Sequence, residues 1–125
     1  MQKNKEEKEL EKLLETVFES LRDKKGEEII DLDITHLNTT ICNHFVICHA
    51  ESTTRVRALA DSVVEKMREI HKIKPFHKEG MDNAQWVLID FADIIVHVFQ
   101  EPYRRFYNLE DLWADGETNH YEENY

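Results

Sequence analysis

Several residues of this 125-residue chain are of types that could do chemistry, and their spacing decides which of them can act together. Asp31 and Asp33 flank Leu32 in an alternating stretch, so a strand there places both carboxylates on one face. A magnesium-dependent nucleotidyl transferase needs such a pair. It also needs a glycine-rich turn to hold phosphate and a further carboxylate nearby, and Gly26 stands without a Gly-Ser partner. The expectation is two solvated acids on an edge strand. Cys42, His44, Cys48 and His49 suggest zinc, but six residues of extended chain separate the cysteines by about 20 Å, too far to share an ion. Buried thiols and satisfied histidines are expected instead. His97, between Val96 and Val98, reads as a core histidine bonded to a carbonyl or carboxylate, since no Gly-x-Ser-x-Gly elbow accompanies it. No catalytic residue, metal or cofactor follows from these types.

Trp86, Leu88 and Phe91 suggest recognition rather than reaction. Glu79, Asp82, Asp90 and Asp93 surround them in sequence. If the aromatics lie at the rim of a sheet, they make an apolar anchor in an acidic ring, as protein interfaces do. If they are ordinary core residues, the interface disappears. Spacing leaves both open.

The elements that position these residues follow from periodicity. Residues 5–24 carry Leu10, Leu13, Leu14, Val17, Phe18 and Leu21 on one helical stripe, with Gly26 placed as a stop. That helix covers a sheet or mediates a dimer. Residues 28–34 alternate as a strand, with Ile30, Leu32 and Ile34 on one face. Residues 43–48 read as a largely buried strand. Ser52 caps a second helix whose apolar face runs from Val56 to Ile70, and Pro75 terminates it. Residues 76–78 suit a short strand. The two apolar runs, Trp86 to Ile89 and Ile94 to Phe99, suit a hairpin at the centre of the sheet. Pro102 opens a short helix, followed by Leu109, Leu112 and Trp113. The order is helix, strand, strand, helix, three strands, helix. It predicts one α/β domain with a mixed sheet of about five strands and helices packed on its faces. The domain is expected over residues 1–113, and residues 114–125 as an acidic, mobile tail.

Net charge is −10 and uneven: Glu79 to Tyr125 holds eleven acids against Arg104 and Arg105 alone. Such a surface repels phosphate, so little nucleic-acid contact is expected, and a basic protein is the natural partner. Two cysteines argue against a disulfide scaffold, no run approaches membrane-spanning length, and the first residues lack a signal core. The expected setting is the cytoplasm.

The run Ala84-x-Trp86-Val87-Leu88-Ile89-Asp90-Phe91-x-Asp93-Ile94-Ile95-Val96-His97-Val98-Phe99, followed by Arg104-Arg105-Phe106-Tyr107-x-Leu109-Glu110-x-Leu112-Trp113, resembles the ribosomal silencing factor (Iojap) family. Glu79-Gly80, Phe45-Val46-Ile47 and the helix led by Ser52 resemble it as well. The chain departs from that pattern at Ala92, where the family has glycine in the hairpin, and at Asn43 and Ala50. The resemblance implies a nucleotidyltransferase-like fold stripped of its catalytic residues. It also implies a translation repressor that binds the large ribosomal subunit through its universal protein fourteen, blocks joining with the small subunit when nutrients are scarce, and in some members forms homodimers. Glu79, Trp86, Leu88, Asp90, Phe91 and Asp93 are the expected partner-binding residues. The rival reading is a magnesium-dependent nucleotidyl transferase using Asp31 and Asp33.

Overall fold

The computed structural model describes residues 3–37 and 41–121. The first helix, α1 (Lys5–Asp23), is capped by Asn4, whose side-chain oxygen accepts from the Glu7 N–H at 2.8 Å. Its end differs from expectation. Lys25, not Gly26, adopts the left-handed conformation (φ 58°), and the Gly26 N–H returns to the Leu21 carbonyl at 2.9 Å. Gly26 is small for another reason: a Cβ there would come within 3.3 Å of both the Leu21 oxygen and the Leu59 side chain. The second helix, α2 (Thr53–His71), starts at Ser52 as expected. It stops at Lys72 (φ 60°), three residues ahead of Pro75, because a left-handed residue closes the last turn.

Among the described residues, six strands form one mixed sheet: β1 (Glu27–Asp33), β2 (His44–Ala50), β3 (His77–Glu79), β4 (Trp86–Asp90), β5 (Ile94–Gln100) and β6 (Glu117–His120), in the order β3-β4-β5-β2-β1-β6. β2 and β5 are parallel neighbours at the centre; the other pairings are antiparallel. The β4–β5 hairpin is present, although β4 lies one strand off centre. Two short helices follow β5, α3 (Glu101–Tyr107) and α4 (Leu109–Leu112), with Pro102 in the first turn of α3.

The sixth strand corrects two expectations. Glu117–His120 is not a mobile tail but pairs with β1 from Ile30 to Asp33, and Tyr121 stacks on Phe18 with ring centroids 3.5 Å apart. β1 is therefore not an edge, and the sheet has six strands rather than five. Residues 122–125, the rest of the expected tail, lie outside the described residues.

Alternation along the strands divides the core in two. α1 and α2 cover one face, burying Val17, Leu21, Leu59, Val63 and Met67 against Val46, Val87, Val96 and Val98. The opposite face holds Ile30, Leu32, Phe45, Ile47, Ile95 and Phe99, over which Leu109, Tyr103 and Trp113 of the C-terminal segment pack. That cover is partial, and the partly buried Trp86 and Leu88 lie at its margin. Among the described residues, no helix is long and apolar enough to cross a membrane.

Candidate functional site

Strand register settles which of the expected binding residues share a surface. Directly opposed residues in an antiparallel pair point the same way. Glu79 lies opposite Leu88, and His77 opposite Asp90, so Glu79, Trp86, Leu88 and Asp90 all face away from the two long helices. Two of the six expected residues do not join them. Phe91 turns to the other face and is buried (7% exposed) in the core beneath α1 and α2, so it is not an exposed anchor. Asp93 is exposed, but in the hairpin turn, at the end of β4 away from Trp86. Four residues of strand, about 13 Å, separate Trp86 from Asp90. The aromatic pair Trp86 and Phe91 therefore does not form one spot.

Tyr107, at the end of α3, takes the place expected of Phe91. Its ring lies 4.6 Å from that of Trp86, and Trp86 also stacks on Phe99 at 5.1 Å. Tyr107 is 46% exposed, and beside it Phe106 is exposed to 79%. Leu112, on α4, is likewise exposed. Sequence reading placed these residues in an apolar segment docking on the sheet and so missed their exposure. The available signal was two adjacent aromatics on a short helix, of which only one face can be covered.

Trp86 is tied to the core beside it. The Trp86 indole N–H donates to Nδ1 of His97 at 3.0 Å, which replaces the carbonyl or carboxylate expected as the histidine's partner. Burial pushes the His97 pKa down to about 3, so the ring is neutral and can accept. Gly80, at φ 88°, allows the chain to pass close under β4: a Cβ there would lie 2.0 Å from the Trp86 carbonyl oxygen. Around the aromatic patch, Glu79 pairs with His77 at 2.7 Å, and Asp90 accepts the Ala92 N–H at 2.7 Å.

The second candidate constellation lies on the opposite face. Asp31 is buried, not solvated, and accepts a 2.8 Å hydrogen bond from His44. Burial by itself would lower the His44 pKa, but the Asp31 bond and charge outweigh it and hold that pKa above the usual value. The Asp33 carboxyl is held low: burial opposes ionisation, and the Thr35 hydrogen bonds win. Asp31, Asp33, His44 and Asp93 line a cavity of about 870 Å³ beneath the first half of α1. Asp31 is thus committed to a histidine rather than presented beside Asp33 as an open pair. Cys42 and Cys48 belong to cores on opposite faces of the sheet, and burial raises both thiols to about 12.

The fold defines a single α/β domain with a mixed sheet, one margin of which carries partly covered aromatics and acids. A family profile described as ribosomal silencing factor during starvation matches residues 7–124. The ribosomal silencing factor of Halalkalibacterium halodurans is 37% identical over 108 residues, covering 86% of this chain and 91% of that protein. That of Bacillus subtilis is 39% identical over 94 residues, covering 75% and 78%. The chloroplastic Iojap protein of Zea mays is 35% identical over 75 residues, covering 58% of this chain and 31% of that protein. A crystal structure from Chromobacterium violaceum superposes with a TM-score of 0.78 at 34% identity, covering 83% of this chain and 85% of that one. The chain belongs to the ribosomal silencing factor family.

Proposed function

We propose that this chain represses translation by occlusion: it docks on the large ribosomal subunit through the universal protein fourteen and covers surface that the small subunit needs. The observation that carries the reading is the half-buried Trp86 against the exposed Tyr107, beside Leu88, with Glu79 and Asp90 on the same face. The aromatics supply apolar anchoring in the manner of interface hot spots. The acids, with Asp93 at the turn, supply complementarity to lysine and arginine, which sets encounter rate and register. Phe91 acts from behind, as core packing under the hairpin. No bond is made or broken, and the setting is the cytoplasm. The names of its relatives as silencing factors support the same reading.

Co-sedimentation with purified large subunits, followed by addition of small subunits, tests it. Bound factor is expected to prevent joining. Trp86→Ala is expected to weaken binding by about 2 kcal/mol, roughly thirtyfold. Subunits that pair equally well in excess factor would overturn the function. Undiminished affinity of the variant would remove Trp86 from the contact.

A further inference from the structure

One short stretch, between Glu69 and Glu79, is locally basic. Residues 70–78, Ile-His-Lys-Ile-Lys-Pro-Phe-His-Lys, hold three lysines and no acid. They link the end of α2 to edge strand β3, next to β4 of the docking face. Lys72, Lys74 and Lys78 are all exposed. Phe76, 78% exposed, is a large aromatic left in solvent just after Pro75, and its N–H donates to the Asp90 carbonyl at 2.8 Å. Beside it is a hollow of about 330 Å³, lined by Phe76, Ile41, Asn43, Asp90, Ala92 and Asp93 among others.

We propose that this rim is an RNA contact: Phe76 stacks one unstacked base of a single-stranded segment, and Lys72, Lys74 and Lys78 hold its backbone. Aromatic platforms beside lysines are the usual means of gripping single strands, because every base has a stacking face. The charges fix the orientation. Lys78 lies opposite Ile89, on the face toward α2, whereas Asp90 lies on the opposite face of the sheet. Phosphates are therefore repelled from the hollow, which Asp90 and Asp93 line, and drawn to the lysine side. This contact rests on the docking proposed above, since a ribosomal surface presents protein and RNA side by side.

The test uses the full chain and purified large subunits. A Lys72→Glu/Lys74→Glu/Lys78→Glu variant is expected to lower the slope of log affinity against log salt by about 2, at roughly 0.7 for each single-strand phosphate no longer neutralised. Phe76→Ala is expected to weaken binding about tenfold. With p-benzoylphenylalanine in place of Phe76, light should cross-link the chain to ribosomal RNA. All these side chains are exposed, but Lys72 also caps α2 and donates to the Glu69 carbonyl at 3.0 Å. The triple variant is therefore compared with Lys74→Glu/Lys78→Glu, whose melting temperature should stay at the wild-type value and whose slope should fall by about 1.4. Unaltered affinity and salt slope in these variants, or a cross-link to ribosomal protein alone, would overturn the contact. So would lysine-dependent binding to phosphatidylserine vesicles with subunit binding unchanged. If Trp86→Ala abolishes binding while the rim variants do nothing, the docking face stands and the RNA contact falls. The reverse pattern removes the docking face and leaves the RNA contact.

Discussion

The indole N–H of Trp86 donates to Nδ1 of His97 across 3.0 Å, and this one bond ties Trp86, the proposed anchor, to the central strand β5. An indole can only donate, so Nδ1 must accept and the imidazole proton sits on Nε2. That Nε2 is buried and has no partner among the described residues. A protonated ring would lose the Trp86 bond and place a charge among Phe45, Phe99 and Trp86.

Acid should therefore destabilise the fold through His97. Its folded pKa of about 3 lies below the ordinary 6.5, so the unfolded chain takes up a proton that the fold refuses. This contribution is complete above about pH 6.5 and is lost as pH falls toward 3, amounting to about 2 kcal/mol between pH 7 and 5. His44 has the opposite sign: its raised pKa adds stability below about 6.5 that fades as pH rises through the folded value. Urea unfolding at the two pH values should show that His97→Gln loses the acid-sensitive component and keeps the His44 one. An unaltered pH difference in the variant would contradict the assignment.

Arg104 is expected to be the residue whose loss most loosens the C-terminal segment. It is nearly buried and donates to the Glu28 carbonyl at 2.7 Å and to His49 Nδ1 at 3.0 Å, with Glu110 at 3.4 Å. One guanidinium so joins α3 to β1, β2 and α4. Glu28 exposes its carbonyl there because β1 is irregular: its φ is 47°, and the register with β2 shifts between Glu27 and Ile30. Arg104→Met should lower stability by about 1.5–3 kcal/mol, the range for hydrogen bonds to a charged group. Burial and the Arg104 charge together depress the His49 pKa, so removing the charge should raise it. NMR titration of His49 checks this, and an unmoved midpoint would show that Arg104 does not act on the ring.

The closing strand should matter to stability as well. Tyr121→Ala removes the stack on Phe18, and a loss of about 1–2 kcal/mol is expected. Ending the chain before Glu117 should cost more, because it also unpairs β1 from Ile30 to Asp33. Thermal unfolding of both variants tests the strand, and wild-type melting of the shortened chain would show that β6 contributes nothing.

Periodicity carried the α1 stripe, the α2 face, the hairpin and the alternation of β1, because each is a local pattern with a large buried area behind it. β6 was not legible. Its residues, Glu117-Thr118-Asn119-His120, are all exposed and polar, so an edge strand held by backbone pairing leaves no apolar trace. The site was half legible for a related reason. Period two puts Trp86, Leu88 and Asp90 on one face correctly, but it stops at the turn, where Phe91 leaves the strand and rotates into the other core. Tyr107 reaches Trp86 only through the Arg104 clamp and the path of α3, a tertiary relationship that no local pattern encodes.

The hairpin turn offers a change that should strengthen the protein. Ala92 adopts φ 73°, the left-handed region, in the three-residue connection between β4 and β5. The Asp90 carboxylate accepting its N–H at 2.7 Å, and the Phe91 N–H bonded to the Ile94 carbonyl at 2.9 Å, hold it there. A Cβ in this conformation costs about 1–2 kcal/mol, whereas glycine adopts it freely. Glycine also has more freedom to lose on folding, which offsets part of the gain. Ala92→Gly is thus expected to raise stability by about 0.5–1 kcal/mol in chemical denaturation, although glycine in a loop ordinarily lowers it. Ala92 is exposed, so no packing is lost in compensation. Lower stability of this variant would mean that the turn's hydrogen bonds, rather than the conformation of Ala92, limit the hairpin.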